Sequence, residues 1–293
     1  MRKTVITKGE NIPTEQPFSP SIENRMIHPH TYIHPNAHLA TNVKIDPFTV
    51  IHQDVEIGEG TWIGSNVTIM EGARIGMNCR IFPGAVIAAI PQDLKFQGEY
   101  SNVFIGDNTT IREFVTVNRG TKDREKTAIG SNCLIQAYCH LAHDCIVGDH
   151  CIMSNNTQVA GHVLIGDWAI LGGMCAIHQF VRVGQHAFVS GGSLVGKDVP
   201  PYIKAGRQPL SYSGVNSVGL KRRGFTVEKI NHILDIYRIL YNKGMNTSQA
   251  LEFLEEEFPA TDERDEIVTF IRESSRGIIK RYSKSSLDED YAD

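Results

Sequence analysis

The chain has 293 residues, 41% hydrophobic and 21% charged, an ordinary globular composition that leaves room for one large domain and a smaller one and excludes general disorder. Lys and Arg total 29 against 33 Asp and Glu, a net charge of −4, so bulk electrostatics exclude a nucleic-acid binder, and an acidic partner needs a local basic patch. No stretch approaches the roughly 18 uncharged apolar residues of a membrane span, and residues 1–25 lack the apolar core of a secretory signal, so a cytoplasmic protein is expected.

Residues 1–25 are polar and read as an N-terminal extension, with Met26 an alternative start. From residue 26 a period of six takes over. Ile27, Ile33, Leu39, Ile45, Ile51, Ile57, Ile63, Ile69, Ile75, Ile81 and Ile87 follow without a miss. At the overall hydrophobic fraction, chance would give such a run about 5 times in 100,000. The ladder resumes at Ile105, Ile111 and Val117 and continues from Ile129 to Val195.

Four residues after each aliphatic stands a smaller one, such as Thr49, Val67 or Ala85. The two positions are two apart across the hexad boundary, which puts both side chains on one face of a short strand. The Gly and polar residues between strands make a corner. Three sides form a coil of about 18 residues, and residues 26–199 hold about nine coils, a prism on the order of 40 Å long. This is the hexapeptide β-helix, a mainly β fold. All six cysteines (Cys79, Cys133, Cys139, Cys145, Cys151 and Cys175) fall in the small inward slot, where they read as reduced core fillers.

Two segments break the ladder, near 88–104 and 118–128. Their in-phase slots are Asp93, Glu99 and Asp123, and bare carboxylates in an apolar core would cost several kcal/mol. Both are therefore expected to leave the prism as loops, which makes Gln92, Asp93, Lys95, Arg112, Arg119 and Lys122 candidates for binding. A solvated loop is the equally open alternative.

Past Val199-Pro200-Pro201, residues 200–293 read as a connector and a C-terminal α-helical domain. The spacing of Val227, Ile230, Leu234, Tyr237 and Tyr241 predicts a helix capped by Thr226 and ended by Gly244. Further helices are expected over about 247–258 and 262–282, the latter capped by Thr261, before an acidic tail over 283–293.

The register also groups possible chemistry. Leu141 and Cys145 keep the inward phase, so His143 and Asp144 stand at a corner and His140 faces out from a strand. One coil further on, Gly161 lies over His143 and His162 over Asp144; Gln179 follows over Gly161, with His178 nearby. An imidazole for general-base work, a carboxylate to orient it and an open backbone N–H for an oxyanion are the equipment of acyl transfer to a hydroxyl. A merely His-rich surface fits the same spacing.

Several motifs carry a resemblance to a known family. They are Gln92-Asp93-Leu94-Lys95, Ile111-Arg112-Glu113, Arg119-Gly120-Thr121, Leu141-Ala142-His143-Asp144-Cys145, Ala160-Gly161-His162, Ile177-His178-Gln179-Phe180 and Gly219-Leu220-Lys221-Arg222-Arg223-Gly224-Phe225. Over about residues 26–283 the chain resembles the acyl-[acyl-carrier-protein]–UDP-N-acetylglucosamine O-acyltransferases, the first enzymes of lipid A biosynthesis. The resemblance implies a left-handed β-helix and a homotrimer with sites between neighbouring prisms. It implies that an (R)-3-hydroxyacyl chain passes from acyl carrier protein to the glucosamine 3-hydroxyl of UDP-N-acetylglucosamine, with no metal or cofactor.

By the same resemblance His143 would be the general base, Asp144 its support and the Gly161 N–H the oxyanion donor. Gln92, Asp93, Lys95, His140, His162, His178 and Gln179 would line the sugar and acyl pockets. Asn216, Arg222 and Arg223 would hold the nucleotide, the arginines as fixed cations at a diphosphate. Asn118 departs from the family's His before Arg119, and Val218 from its Glu, which puts one sugar-side and one nucleotide contact in doubt.

Three rivals frame this expectation. One is another acyltransferase on the same scaffold, acylating a 3-amino sugar nucleotide or using CoA; the later N-acyltransferase of lipid A synthesis has an N-terminal uridine-binding domain for which residues 1–25 are too short. A zinc hydratase of the carbonic-anhydrase type would need a third ligand beside His140 and His143. An ice-binding solenoid would need a flat face of repeated Thr, whereas the outward residues are irregular and charged.

Overall fold

The computed structural model describes residues 26–242 and 244–282; the N-terminal extension and the acidic tail expected above lie outside them. The chain winds as a left-handed parallel β-helix, each coil contributing one short strand to each of three sheets. Sheet I begins with Tyr32–Ile33, sheet II with His38–Leu39 and sheet III with Lys44–Ile45. They hold nine, eight and ten described strands respectively. Neighbouring coils pair in register; Leu141, for instance, lies beside Val117 below and Val159 above.

Both inward positions are filled as the hexad predicts. The aliphatic column and the small slot are almost completely buried, from Val43 and Ile45 up to Val195 and Val199. The six cysteines are free and buried, and burial pushes the thiols of Cys139 and Cys145 up to about 11 and about 12, well out of the reactive range. The corners turn through a left-handed residue three places after the aliphatic. Asn42, Asn66, Asn78, Asn108, Asn132 and Asn156 hold it with φ between 54 and 61°, as suits a side chain that tolerates this region.

The glycines directly after the aliphatic have a different cause. At the edge between sheets II and III a Cβ on Gly58 would lie 2.5 Å from the carbonyl carbon of Gly76, so close stacking of coils, and not a turn conformation, demands glycine there.

Both interruptions of the ladder leave the prism, but over shorter spans than 88–104 and 118–128. The strands Val86–Ala89 and Asn102–Ile105 bracket the first, and Thr116–Asn118 and Lys126–Ile129 the second. The strands run longer because Ala88, Val103 and Thr127 still bury their side chains against the core.

Beyond Pro201 the connector is itself structured. Ile203–Gly206 continues sheet III, and Ser211–Val215 closes it as an antiparallel strand. Four helices follow: α1 (Ser217–Arg222), α2 (Val227–Asn242), α3 (Thr247–Glu257) and α4 (Asp262–Arg272). Thr261 caps α4 as its position suggested. The helix expected over 262–282 ends ten residues early, because the chain turns at Gly277 (φ 72°) and comes back to bridge Asp198 and Tyr212. Buried Tyr237 of α2 donates its hydroxyl to the Pro201 carbonyl at 2.6 Å, tying the helices to the end of the prism.

Candidate active site

Both loops and the corners holding His143, Gly161 and His178 connect a strand of sheet I to one of sheet II. One edge of the prism, the I/II edge, therefore carries most of the predicted site. Asp144 takes the left-handed position of its corner (φ 61°) and is fully buried. Its Oδ2 stands 2.7 Å from His143 Nδ1, so the adjacent residues do meet, a point spacing alone left open. With Asp144 ionised, Nδ1 carries the proton and Nε2 keeps its lone pair.

The loop over 119–125 supplies the rest of the carboxylate's partners. The Thr121 N–H donates to Oδ1 at 3.0 Å, the Thr121 hydroxyl to Oδ2 at 2.7 Å and the Arg124 N–H to Oδ1 at 3.2 Å. Burial pushes the Asp144 carboxyl up, but the hydrogen bonds from His143 and Thr121 outweigh it and hold the group below the ordinary carboxylate range. Thr121 and Arg124 were not singled out by the sequence; the only signal was Thr121's place in the Arg119-Gly120-Thr121 motif.

Gly161 stacks over His143 so closely that a Cβ there would sit 2.7 Å from the imidazole Cε1. Its N–H makes no hydrogen bond among the described residues and is open to an incoming oxyanion. His162 packs edge-on to His143, ring centroids 5.0 Å apart, and stacks on Phe180 at 4.5 Å. Its Nδ1 lies 3.1 Å from Asp123, a third residue of the 119–125 loop, which sequence reasoning used only as a misfit in the ladder. Asp93 reaches to 4.0 Å from His143 Nε2. Thr116 bonds His140 Nδ1 at 2.7 Å, and burial, with nearby His143, holds the His140 imidazole pKa down. Gln92, Lys95, His178 and Gln179 are exposed along the same edge. Asn118, which departs from the family's His, is buried with its Oδ1 unpaired among the described residues.

The nucleotide candidates stand elsewhere in the chain. Asn216 caps α1 by accepting the Gly219 N–H and donates to the His186 carbonyl, so its amide is used internally. Arg223 lies over Trp168 at 5.3 Å and bonds His186 Nδ1 at 3.2 Å; Arg222 is exposed. Trp168 and His186 belong to corners between sheets II and III, so this group sits on the II/III edge, not beside His143.

A metal ion suits the site poorly. His143, Asp144 and His162 bring their ligand atoms within 4.8 Å of one another, but both Asp144 oxygens already accept N–H and O–H donors, which turns hydrogens where a cation would have to stand.

Comparison with known proteins identifies the family. A family model described as UDP N-acetylglucosamine O-acyltransferase, domain 2, matches residues 198–279, and one for bacterial transferase hexapeptide repeats matches 54–89 and 126–161. An acyl-[acyl-carrier-protein]–UDP-N-acetylglucosamine O-acyltransferase of Sulfurihydrogenibium sp. (strain YO3AOP1) is 52% identical over 262 residues, 89% of this chain and 97% of that protein. The chain belongs to this acyltransferase family. The crystal structure of a UDP-N-acetylglucosamine acyltransferase from Bacteroides fragilis 9343 matches with a TM-score of 0.85 at 50% identity, covering 87% of this chain and 100% of its own. The Acinetobacter baumannii structure gives 0.85 at 39% identity, covering 87% and 100%. Family membership sets aside the zinc hydratase and the ice-binding solenoid. Among the described residues no helix is long and apolar enough to cross a membrane.

Proposed function

We propose that this family member transfers an (R)-3-hydroxyacyl chain from acyl carrier protein to the 3-hydroxyl of UDP-N-acetylglucosamine, the first step of lipid A biosynthesis, in the cytoplasm and without a cofactor. The observation that carries the reading is the His143–Asp144 pair at 2.7 Å, packed against Gly161, whose N–H makes no hydrogen bond among the described residues. His143 Nε2 takes the proton of the sugar hydroxyl as its oxygen attacks the thioester carbonyl. The Gly161 N–H stabilises the tetrahedral oxyanion. Collapse expels the carrier's thiolate, which takes the proton back from the imidazolium.

In this reading Gln92, Asp93, Lys95, His140, His162, His178 and Gln179 line the sugar and acyl pockets. Arg222 and Arg223 hold the diphosphate, and Asn216 contributes by fixing the start of α1. The separation of the two groups supports a homotrimer. The I/II and II/III edges both bound sheet II, so three copies packed about an axis in front of that sheet bring the base edge of one copy to the arginine edge of the next. Sheet II presents Phe104, Ala128, Ile146 and Leu164 on successive outward rungs at that height, an apolar stripe suited to burial between copies.

The test is mass-spectrometric turnover of UDP-N-acetylglucosamine with a panel of (R)-3-hydroxyacyl carrier proteins. A mono-acylated product with one preferred chain length supports the proposal. Product only with a 3-amino sugar nucleotide, or only with acyl-CoA, would replace it with the corresponding acyltransferase. For Arg222→Ala a raised KM for the nucleotide sugar is expected, with a smaller change in kcat; steady-state kinetics check it, and an unchanged KM removes Arg222 from the nucleotide site.

A further inference from the structure

We infer that Thr121 is a positioning residue for the transfer: through its hydroxyl and N–H the 119–125 loop holds the buried Asp144 carboxylate in the one orientation that presents His143 Nε2 as a base. The inference rests on His143 acting as that base.

An aspartate side chain at a corner has freedom about its Cβ–Cγ bond unless both oxygens are held. Here Oδ1 takes two backbone N–H groups, from Thr121 and Arg124, and Oδ2 takes the Thr121 hydroxyl and His143 Nδ1. Four donors nearly exhaust a carboxylate's lone-pair directions. The loop is fixed to the same corner by Arg124, whose guanidinium donates to the Asp144 carbonyl at 2.8 Å. From the other side the Asp144 N–H donates to the Thr127 hydroxyl at 2.9 Å. The Asp144 carboxylate is 0% exposed, so no water can replace a lost donor without first opening the site. An unpaired carboxylate lone pair there is costly, and with one donor gone the oxygen that orients His143 stays against the ring but is held less tightly.

The charge consequence has a definite sign. The Thr121 hydroxyl shares the oxygen that faces His143 and draws negative charge from it. Removing the hydroxyl leaves that oxygen more negative, stabilises the imidazolium and raises the His143 pKa. The other ionisable groups facing His143 are Asp93 near Nε2, His162 across its ring edge and His140 one strand away, with Asp123 acting on His162. Of these only Asp123 meets Thr121, its backbone N–H donating to the Thr121 hydroxyl at 3.3 Å, and its carboxylate faces His162 and not His143, so the direct route from Thr121 to His143 is through Asp144.

The experiment compares Thr121→Val, which keeps the shape and loses the hydroxyl, with Thr121→Ser, which keeps the hydroxyl; Thr121→Ala replaces Val if that variant does not fold. NMR titration of the 15N-labelled His143 ring reads its pKa in the free protein, independently of turnover, and steady-state kinetics read kcat and KM. For Thr121→Val the expected result is an upward pKa shift of about half a unit to one unit, a kcat lower by about tenfold to a hundredfold and an unchanged KM. Thr121→Ser should restore both pKa and kcat. An unshifted His143 in Thr121→Val, or a Ser variant as impaired as Val, overturns the assignment. A shift in the NMR titration without acyl transfer in the wild type would instead indict the proposed reaction.

Discussion

Asp144 stands where its hexad turns left-handed, a place that several other corners give to Asn or Gly. That backbone sends the carboxylate back under the preceding residue's imidazole, which is how two neighbours in sequence come to share a hydrogen bond. His162 holds the equivalent place one coil on (φ 63°) and leans against the same ring. The stacked corners leave His143 no room on its Gly161 side. For Gly161→Ala the added methyl would press on the imidazole at 2.7 Å, and a kcat reduced by tenfold or more is expected, since small displacements of a catalytic group are expensive. Kinetics beside a melting curve check it; a wild-type kcat would mean the ring has slack that the packing denies. The clustering of His143, Asp144, Gly161 and His162 was legible in the sequence because a fixed register turns residue numbers into positions. Thr121, Asp123 and Arg124 were not, since they lie on a loop whose path no period dictates.

At the scale of elements, α1 and the II/III edge depend on one another through His186. Its carbonyl accepts from Asn216, its Nδ1 accepts from Arg223, and its ring stacks between Trp168 and Tyr202. Burial, with the Arg223 charge adding to it, holds this histidine down at about 4 against an ordinary 6.5. The neutral form is the one the fold accepts. Its contribution is complete above about pH 6.5 and is lost as pH falls toward 4, because the unfolded chain takes the proton first; the full loss is about 3 kcal/mol. Half-buried His140 adds in the same direction. Denaturant unfolding from pH 7 to 4 should show the decline, and His186→Phe should remove most of it; an equal slope in the variant would assign the effect elsewhere. The hexad strands were readable rung by rung, and Thr226 and Thr261 were readable as caps. The early end of α4 was not, because Ile278 and Ile279, apolar in the helical phase, are half-buried and buried in a returning chain and not on a helix face.

For the whole molecule, the decisive fact is that His143, the proposed base, and Arg223 lie on different edges of one prism. If neighbouring copies share each site, His143→Ala and Arg223→Ala, each weak alone, should regain activity when unfolded and refolded together, since mixed trimers then contain some sites with both residues intact. About one quarter of the wild-type rate is the order expected when copies mix at random. No recovery would mean that each copy carries a full site. The period of six showed the prism but not this division, since which faces meet depends on outward residues that the repeat leaves free. The most direct test of the account is kcat for His143→Ala against wild type, with circular dichroism and assembly mass measured on the same sample. A loss of about 10²- to 10⁴-fold with fold and assembly unchanged is the predicted result, because the side chain lies at an edge and outside the core. Full turnover in a folded, assembled His143→Ala protein would contradict the assignment of the base and the mechanism built on it.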